Sequence, residues 1–255
     1  VATINVRNGF SYKCRKESLL QELYGRHEVD IIAVSEWGQP DVKDIQRLTN
    51  AGWTIVEKTR HERKGGAALL LRTSKYEVTE VKMEDQYDGV QIAIATARLK
   101  TRPSSRLEGF AACYASPSDT DAVEPPWSTM IASAMLLMSA QAATPCAIMG
   151  DFNARHPTWD EGGDKSDTRN WGRGDKLAAT FHDVGLHVAA RPTFPRPSGI
   201  VTAIDLIVAS FPIPEANTFV VKMDSELTDH YAMVAKIGDE VPPTVKTQWN
   251  RWRRR

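Results

Sequence analysis

The sequence contains few cysteines and no hydrophobic segment long enough to cross a membrane. Its three cysteines, Cys14, Cys113 and Cys146, are odd in number and far apart, so neither a disulfide framework nor a CxxC motif can be built from them. The most apolar helical segment, around residues 130–138, falls far short of the roughly 20 residues that span a bilayer. We therefore expect a globular protein of a reducing compartment, with no membrane partner.

The chain also lacks a net charge, because 32 basic residues balance 32 acidic ones. The balance is uneven, since the last ten residues carry five positive charges and no acid. The acidic excess elsewhere does not exclude a polyanionic ligand, because clustered carboxylates can hold a metal cation. No repeat or low-complexity linker divides the chain before about residue 238. We predict one domain over residues 1–238 and a basic, flexible tail or linker over residues 239–255.

Short apolar segments rich in β-branched residues predict many strands, and few segments have helical spacing. Many of these strands follow one another without a helix between them. This order favours an α+β fold with two mixed sheets packed face to face and helices outside, over a doubly wound parallel sheet. Strands are predicted at residues 2–6, 29–35, 53–57, 67–72, 76–82, 90–99, 107–114, 145–150, 203–209, 218–223 and 231–237. Helices are predicted at residues 16–27, 42–50, 127–142 and 175–184.

Polar side chains repeatedly stand at the ends of these apolar strands. Strand ends open onto the rim of a sheet, so residues that are distant in sequence could converge there. Taken singly, each has an ordinary role: Asp151 and Asn153 could form an Asx turn, and His230 could be a partly buried histidine. The residues concerned are Asn5, Glu36, Tyr114, Asp151, Asn153, Asp205, Asp229 and His230.

Together, these residue types suit phosphodiester hydrolysis. Glu36, Asp151 and Asp229 offer the hard oxygen ligands that Mg²⁺ prefers. A second carboxylate, Asp205, could orient the ring of His230 and support its positive charge. The amide and phenol side chains are suitable donors to phosphate oxygens. Phosphodiester hydrolysis requires a metal ion, an acid–base pair and neutral hydrogen-bond donors.

The order of these motifs also resembles a known superfamily. An Asn in the first strand, a Glu after the second, a Tyr leading YASPSD, GDFN at residues 150–153, ID at residues 204–205 and DH at residues 229–230 match the exonuclease–endonuclease–phosphatase superfamily. This superfamily includes deoxyribonuclease I and the abasic-site repair endonucleases. The longer strings GDFNARHPTW, RPTF and AIDLIVAS resemble the endonuclease domain of non-LTR (LINE-type) retrotransposons, among them insect elements that insert into telomeric repeats or ribosomal DNA.

The resemblance implies a deoxyribonuclease I-like four-layer sandwich and a Mg²⁺-dependent endonuclease, with Mn²⁺ as an alternative ion. By analogy, Glu36 and Asp229 would bind the metal. Asp151, held by Asn153, would orient or deprotonate the attacking water.

The same resemblance pairs His230 with Asp205 at the scissile phosphate, and assigns Asn5 and Tyr114 to the phosphate oxygens. Thr193 matches a family position beside these residues.

A double-stranded DNA target is the partner that the resemblance implies, with Arg155, Arg191 and Arg196 as candidate groove contacts. A hairpin over residues 194–202 would enter the DNA and influence the choice of site. Nicking one strand would leave a 5′ phosphate and a 3′ hydroxyl that primes a reverse transcriptase domain in cis, in the nucleus. The alternatives are an abasic-site repair nuclease, a phosphatase of the same superfamily, or a catalytically inactive DNA-tethering module.

Overall fold

The computed structural model describes residues 1–11, 15–59, 65–82, 89–102, 107–117, 131–137, 145–160 and 171–237. Within these ranges the strands form two six-stranded sheets and one two-stranded hairpin. In chain order the strands are β1 (Ala2–Asn5), β2 (Ile31–Ser35), β3 (Trp53–Lys58), β4 (Ala67–Arg72), β5 (Tyr76–Val81), β6 (Val90–Leu99), β7 (Glu108–Ala115), β8 (Cys146–Asp151), β9 (His187–Ala190), β10 (Phe194–Pro195), β11 (Val201–Thr202), β12 (Asp205–Ala209), β13 (Thr218–Val221) and β14 (Ala232–Ala235).

The described helices are short, apart from the one that follows the GDFN region. They are α1 (Glu17–Gln21), which continues into a π-helical turn (Glu22–Arg26), α2 (Val42–Asn50), α3 (residues 131–137) and α4 (Trp171–Val184). A 3₁₀ turn covers Glu215–Asn217. In the described part of the chain, no helix has the length and apolar character needed to cross a membrane.

Both large sheets are mixed, as the sequence predicts. The first has the strand order β13-β14-β1-β2-β4-β3, and the second has the order β5-β6-β7-β8-β12-β9. Each contains one parallel pair, β1–β2 in the first sheet and β7–β8 in the second, while the other pairs are antiparallel. The carboxyl ends of two adjacent strands therefore coincide once in each sheet.

The two sheets pack face to face through small and aliphatic side chains, such as Ala95 and Ala112 of the second sheet and Leu69 of the first. On the outer side of the first sheet, α1 and α2 bury Leu19 and Leu48. The outer layers also bury Leu23 against the first sheet, and Ile131, Leu177 and Phe181 against the second. Strand residues alternate between the inner and outer cores, as the two-residue period of a strand requires. The predicted four-layer α/β sandwich is confirmed.

Several boundaries differ from the sequence-based expectation. The structure contains β9, which the sequence pattern did not reveal, and the hairpin expected over residues 194–202 forms the two-residue strands β10 and β11. Helix α4 begins at Trp171 rather than at residue 175, and the predicted helix 16–27 changes to π-helical geometry after Gln21. Of the predicted helix 127–142 only residues 131–137 are described, and the predicted tail at 239–255 lies outside the described residues.

Candidate active site

The parallel strand pairs place polar residues of both sheets at one edge of the sandwich. In the first sheet, Asn5 at the end of β1 pairs with Ser35 at the end of β2. In the second sheet, Tyr114 in β7 pairs with Asp151, the last residue of β8. Asp205 begins β12, which runs antiparallel to β8, so it also lies opposite Asp151. The predicted convergence of strand ends is therefore a consequence of the sheet topology.

Hydrogen bonds join the two sheets directly at this edge. The hydroxyl of Ser35 donates to the carbonyl oxygen of Cys113 at 2.9 Å and accepts from the backbone amide of Asp151 at 2.9 Å. The side-chain amide of Asn5 donates to Oδ2 of Asp151 at 2.9 Å and to Oε1 of Glu36 at 3.2 Å. Asn5 is completely buried. Its side-chain amide joins two carboxylates that come from different sheets.

Gly150 is required where β8 meets β7. A Cβ atom at this position would lie 1.8 Å from the carbonyl oxygen of Cys113, a distance that no side chain can tolerate. Because the two backbones approach so closely, Asp151 is held beside the end of β7. The glycine of the GDFN motif therefore serves strand packing, and the aspartate after it occupies the site.

Asp151 and Asn153 do form an Asx turn, and the turn is part of the site. The backbone amide of Asn153 donates to Oδ1 of Asp151 at 2.8 Å. Asn153 has a positive φ of 45°, and its side-chain amide donates to the carbonyl oxygen of Ala115 at 2.9 Å. The Asx turn fixes one carboxylate oxygen of Asp151, and Asn5 donates to the other.

His230 and Asp205 form a buried pair. Nδ1 of His230 lies 2.8 Å from Oδ2 of Asp205, and the hydroxyl of Thr193 donates to the same oxygen at 2.6 Å. The side chains of His230 and Asp205 are 6% and 0% exposed, so the pair is largely shielded from water. The ring of Phe194 lies against the imidazole, with ring centroids 4.7 Å apart. This arrangement orients the imidazole as the carboxylate does in a hydrolytic triad.

Thr228 ties the His230 segment to the end of β1. Its hydroxyl donates to the carbonyl oxygen of Asn5 at 2.6 Å and accepts from the backbone amide of His230 at 3.1 Å. Together with Ser35, this residue was not predicted to belong to the site. The sequence offers the same signal for both residues, a hydroxyl directly before a candidate acid and next to an apolar segment. Ser35 precedes Glu36, and Thr228 precedes Asp229.

The buried charges shift the pKa values of two site residues. Burial raises the pKa of Asp151 to about 7, with a further contribution from the negative charge of Asp205. Burial acts to lower the pKa of His230, but Asp205 and two further acidic side chains together raise it to about 9. Near neutral pH, His230 is therefore protonated, and Asp151 can take up or release a proton. General acid–base catalysis requires groups that titrate near the working pH.

The site offers two sets of possible cation ligands, of which the first is the predicted pair Glu36 and Asp229. Glu36, in a left-handed conformation at φ 53°, accepts at Oε2 from the amide of Asn8 at 2.9 Å. Asp229 is partly exposed and has Oδ2 3.7 Å from Nε of Arg7. The second set comprises Asp151, Asp205 and His230, whose potential ligand atoms lie within 4.8 Å of one another.

The second set is better suited to proton transfer than to Mg²⁺. His230 already uses Nδ1 in its contact with Asp205, and Mg²⁺ prefers oxygen to nitrogen. Oδ1 of Asp205 is buried and has no hydrogen-bond partner among the described residues. A buried carboxylate oxygen without a partner is unfavourable, so a nearby proton would stabilise this oxygen. The carboxylates of Glu36 and Asp229 have the hard oxygen donors that the predicted metal prefers, and their joint binding of it stays a prediction.

Part of the chain matches a known protein family. Residues 109–234 match the family model described as "Endonuclease-reverse transcriptase". This span contains Asp151, Asp205 and His230. Asn5 and Glu36 precede it in sequence, and the fold brings them to the same site. No curated protein sequence gives a significant match to the chain.

Solved structures share the fold at low sequence identity. The AP endonuclease LMAP from Leishmania major aligns with a TM-score of 0.64 and 13% identity, over 91% of this chain and 85% of that chain. An endonuclease/exonuclease/phosphatase family protein from Leptotrichia buccalis aligns with a TM-score of 0.61 and 15% identity, over 93% and 98%. The D. rerio TDP2 complexed with a single-strand DNA product aligns with a TM-score of 0.59 and 12% identity, over 91% and 95%.

The chain has the endonuclease/exonuclease/phosphatase fold. The candidate catalytic residues come from both sheets of this fold. Tyr114 lies beside Asp151 but is only 6% exposed, and it packs in the core between the sheets. Thr193 is completely buried and contacts Asp205.

The prediction that Arg155 contacts DNA conflicts with its position in the endonuclease/exonuclease/phosphatase fold. Its side chain is 0% exposed, and Nε lies 2.7 Å from Oδ2 of Asp160. The other oxygen of Asp160 accepts from the amide of Ala203 at 3.0 Å, and the guanidinium lies 5.6 Å from the centroid of the Trp171 ring. Arg155 therefore anchors the segment after GDFN to the chain before β12, because a buried ion pair is costly to separate.

The other two predicted DNA contacts are on the surface of the fold. Arg191 pairs with the side chain of Glu215 and also donates from Nη2 to its carbonyl oxygen at 2.8 Å. Arg196 follows β10 in the hairpin, where its amide donates to the carbonyl oxygen of Ile200 at 2.8 Å. The hairpin predicted over residues 194–202 is thus present, with Phe194 opposite Thr202.

Proposed function

We propose that this chain is the endonuclease domain of a non-LTR retrotransposon and nicks one strand of a double-stranded DNA target in the presence of a divalent metal ion. The observation that carries this proposal is the convergence of Asn5, Asp151, Asp205 and His230 at the joined ends of two sheets. The matched family model supports the retrotransposon assignment, because its description pairs an endonuclease with a reverse transcriptase.

The buried residues supply the proton transfers of phosphodiester hydrolysis. Asp151, fixed by Asn5 and the Asn153 amide, accepts a proton from a water molecule that attacks the phosphorus. His230, kept charged by Asp205, donates to an oxygen of the scissile phosphate. The bond from phosphorus to the 3′ oxygen breaks in line with the attack. The products are a 5′ phosphate and, after protonation of the departing oxygen, a 3′ hydroxyl.

Glu36 and Asp229 are the proposed ligands of Mg²⁺, for which Mn²⁺ can substitute. When bound, a divalent cation neutralises negative charge that develops on the phosphate and the leaving oxygen. The carboxylate of Glu36 is oriented for this role by Asn5 and by the amide of Asn8.

The proposed products suit target-primed reverse transcription. A 3′ hydroxyl can be extended directly by a polymerase, so a reverse transcriptase domain in cis could begin synthesis at the nick. We accordingly propose that the domain acts on chromosomal DNA in the nucleus.

A plasmid-nicking assay tests the proposed function. Wild-type protein should convert supercoiled plasmid to the open circle with Mg²⁺ and should lose this activity in a chelator. Removal of one acid–base group typically costs 10²–10⁴-fold in rate, so His230→Ala and Asp205→Ala should nick at least about 100-fold more slowly while retaining most DNA binding. His182→Ala is the matched control, because His182 is 91% exposed.

The same assay separates the alternatives. Cleavage confined to abasic oligonucleotides would indicate a repair nuclease, and hydrolysis of soluble phosphate esters without nicking would indicate a phosphatase. DNA binding without any hydrolysis would indicate a tethering module. Near-normal nicking by both His230→Ala and Asp205→Ala would contradict the assignment of the acid–base pair.

A further inference from the structure

The segment after β1 has an unusual backbone conformation next to the site. We call residues 6–9 the β1 loop. Three consecutive residues in it have positive φ angles: Arg7 at 46°, Asn8 at 59° and Gly9 at 91°. Left-handed geometry is ordinary for glycine but disfavoured for residues that carry a Cβ atom. The two non-glycine residues therefore need contacts that hold them in this conformation.

The amides of the β1 loop are directed at the candidate site. The amide of Arg7 donates to Oδ1 of Asn5 at 2.8 Å, and the amide of Asn8 donates to Oε2 of Glu36 at 2.9 Å. These bonds orient the side-chain amide that contacts Asp151 and one of the two proposed metal ligands. The conformation of the loop thus sets the geometry of the metal-binding side of the site.

The carbonyls of the same loop converge on a buried lysine. Nζ of Lys16 donates to the carbonyl oxygens of Val6, Arg7 and Gly9, the last at 2.7 Å. Lys16 is only 6% exposed, although lysine is rarely buried without partners. Three carbonyl oxygens around one ammonium satisfy its three donors and resemble the coordination of a bound cation.

We propose that the ammonium of Lys16 is an internal cation that positions the β1 loop, so that its amides orient Asn5 and Glu36 for metal binding. Lys16 touches neither the phosphate nor the metal in this account and is therefore a positioning residue. The inference rests on the proposed function for the presence of a metal. Loss of a group that orients metal ligands typically weakens metal affinity or activity by about 10- to 100-fold.

Mn²⁺ alone is the probe for the first test, with binding followed by electron paramagnetic resonance. Lys16→Met keeps most of the side-chain volume but removes the charge, and it should weaken Mn²⁺ binding by about 10- to 100-fold. Lys16→Ala should do the same and should recover when methylammonium is added, because the small cation can occupy the vacated space. The control is Lys100→Met, since Nζ of Lys100 also donates to a backbone carbonyl, that of Thr73, at 2.7 Å.

Wild-type Mn²⁺ affinity in Lys16→Met would overturn the proposal. A loss in Lys16→Ala that methylammonium does not relieve would also overturn it, because the residue would then be merely structural. If neither variant folds, reductive methylation of the wild-type protein decides. Lys16 should resist modification in the folded protein while Lys100 is modified, and equal modification of the two would overturn the proposal.

These measurements do not depend on nicking activity. If wild-type protein binds Mn²⁺ but nicks no DNA, the proposed function is refuted. Mn²⁺ binding by the Lys16 variants then still tests the Lys16 inference. Normal nicking and Mn²⁺ binding by Lys16→Met would refute the inference and leave the proposed function intact. If wild-type protein binds no Mn²⁺, both the proposed metal and the Lys16 inference fail, because the inference concerns metal binding.

Discussion

Ser35 shows how a single hydroxyl can connect sheet packing to catalysis. Ser35 belongs to the first sheet, yet the two hydrogen bonds of its hydroxyl reach the second sheet, at Cys113 and at Asp151. The backbone of Asp151 is thereby fixed to the strand that precedes Glu36. A buried polar group that loses its partner costs about 1–3 kcal/mol, so this hydroxyl contributes to stability as well as to position.

Ser35→Ala should therefore reduce the free energy of unfolding by about 1–3 kcal/mol and slow nicking, because Asp151 loses the contact that fixes its backbone. Ser210→Ala is the matched control. The hydroxyl of Ser210 accepts from the amide of Cys146, at the opposite end of β8, at 3.0 Å. Denaturant unfolding should show a loss in both variants, whereas nicking should fall only in Ser35→Ala. Equal nicking by the two variants would contradict the role of Ser35.

The protonation of His230 gives a second prediction at the residue scale. In metal-free protein its imidazole should stay protonated through neutral pH and titrate near pH 9, because burial is outweighed by Asp205 and its acidic neighbours. Nitrogen-15 NMR of the histidine rings measures this directly. Asp205→Asn should lower the pKa of His230, since it removes the adjacent negative charge while burial remains. A ring that is neutral at pH 7 in the wild type would contradict this electrostatic account.

At the scale of elements, the hairpin of β10 and β11 combines two roles. Its base belongs to the site, because Phe194 covers the His230 ring and Thr202 pairs with Phe194. Its turn, at residues 196–200, projects beyond the paired residues and carries Arg196. This division suggests that the turn can vary without disturbing the catalytic residues.

Exchange of residues 196–200 for a turn of the same length should change which DNA sequence is cut while largely preserving the nicking rate. The exchange leaves Phe194 and Thr202 in place, so the contact with His230 is retained. Sequencing of the nicks on a mixed DNA library measures the preference. An unchanged distribution of cleavage sites would contradict a role of the turn in recognition.

The elements also show what could be predicted from the sequence. Strands such as β6 have a regular apolar pattern and were predicted with their observed bounds. The four-residue strand β9 has no such pattern, and its pairing with β12 is a tertiary feature. The burial of Arg155 likewise depends on Asp160 and on contacts with α4, so the residue type alone suggested a DNA contact that the structure does not support.

At the scale of the whole molecule, the candidate site forms because the parallel pairs of two face-to-face sheets end at the same edge of the sandwich. The sequence predicted the sandwich and the meeting of candidate acids, since polar residues end apolar strands. It did not reveal Ser35, Thr228 or Lys16, because hydrogen bonds between the sheets or to a loop leave no periodic pattern. The types of the candidate site residues were therefore easier to predict than the residues that hold them in place.

The chemistry of the nicked ends distinguishes the proposed hydrolysis from other ways of breaking the strand. Plasmid nicked by the wild-type protein with Mg²⁺ is given to a DNA polymerase and, separately, to a DNA ligase, with no other enzymatic treatment. We expect the polymerase to extend the nick and the ligase to seal it, because the proposed ends are a 3′ hydroxyl and a 5′ phosphate. Ends that require a phosphatase before extension, or plasmid that stays supercoiled, would contradict the proposed hydrolysis.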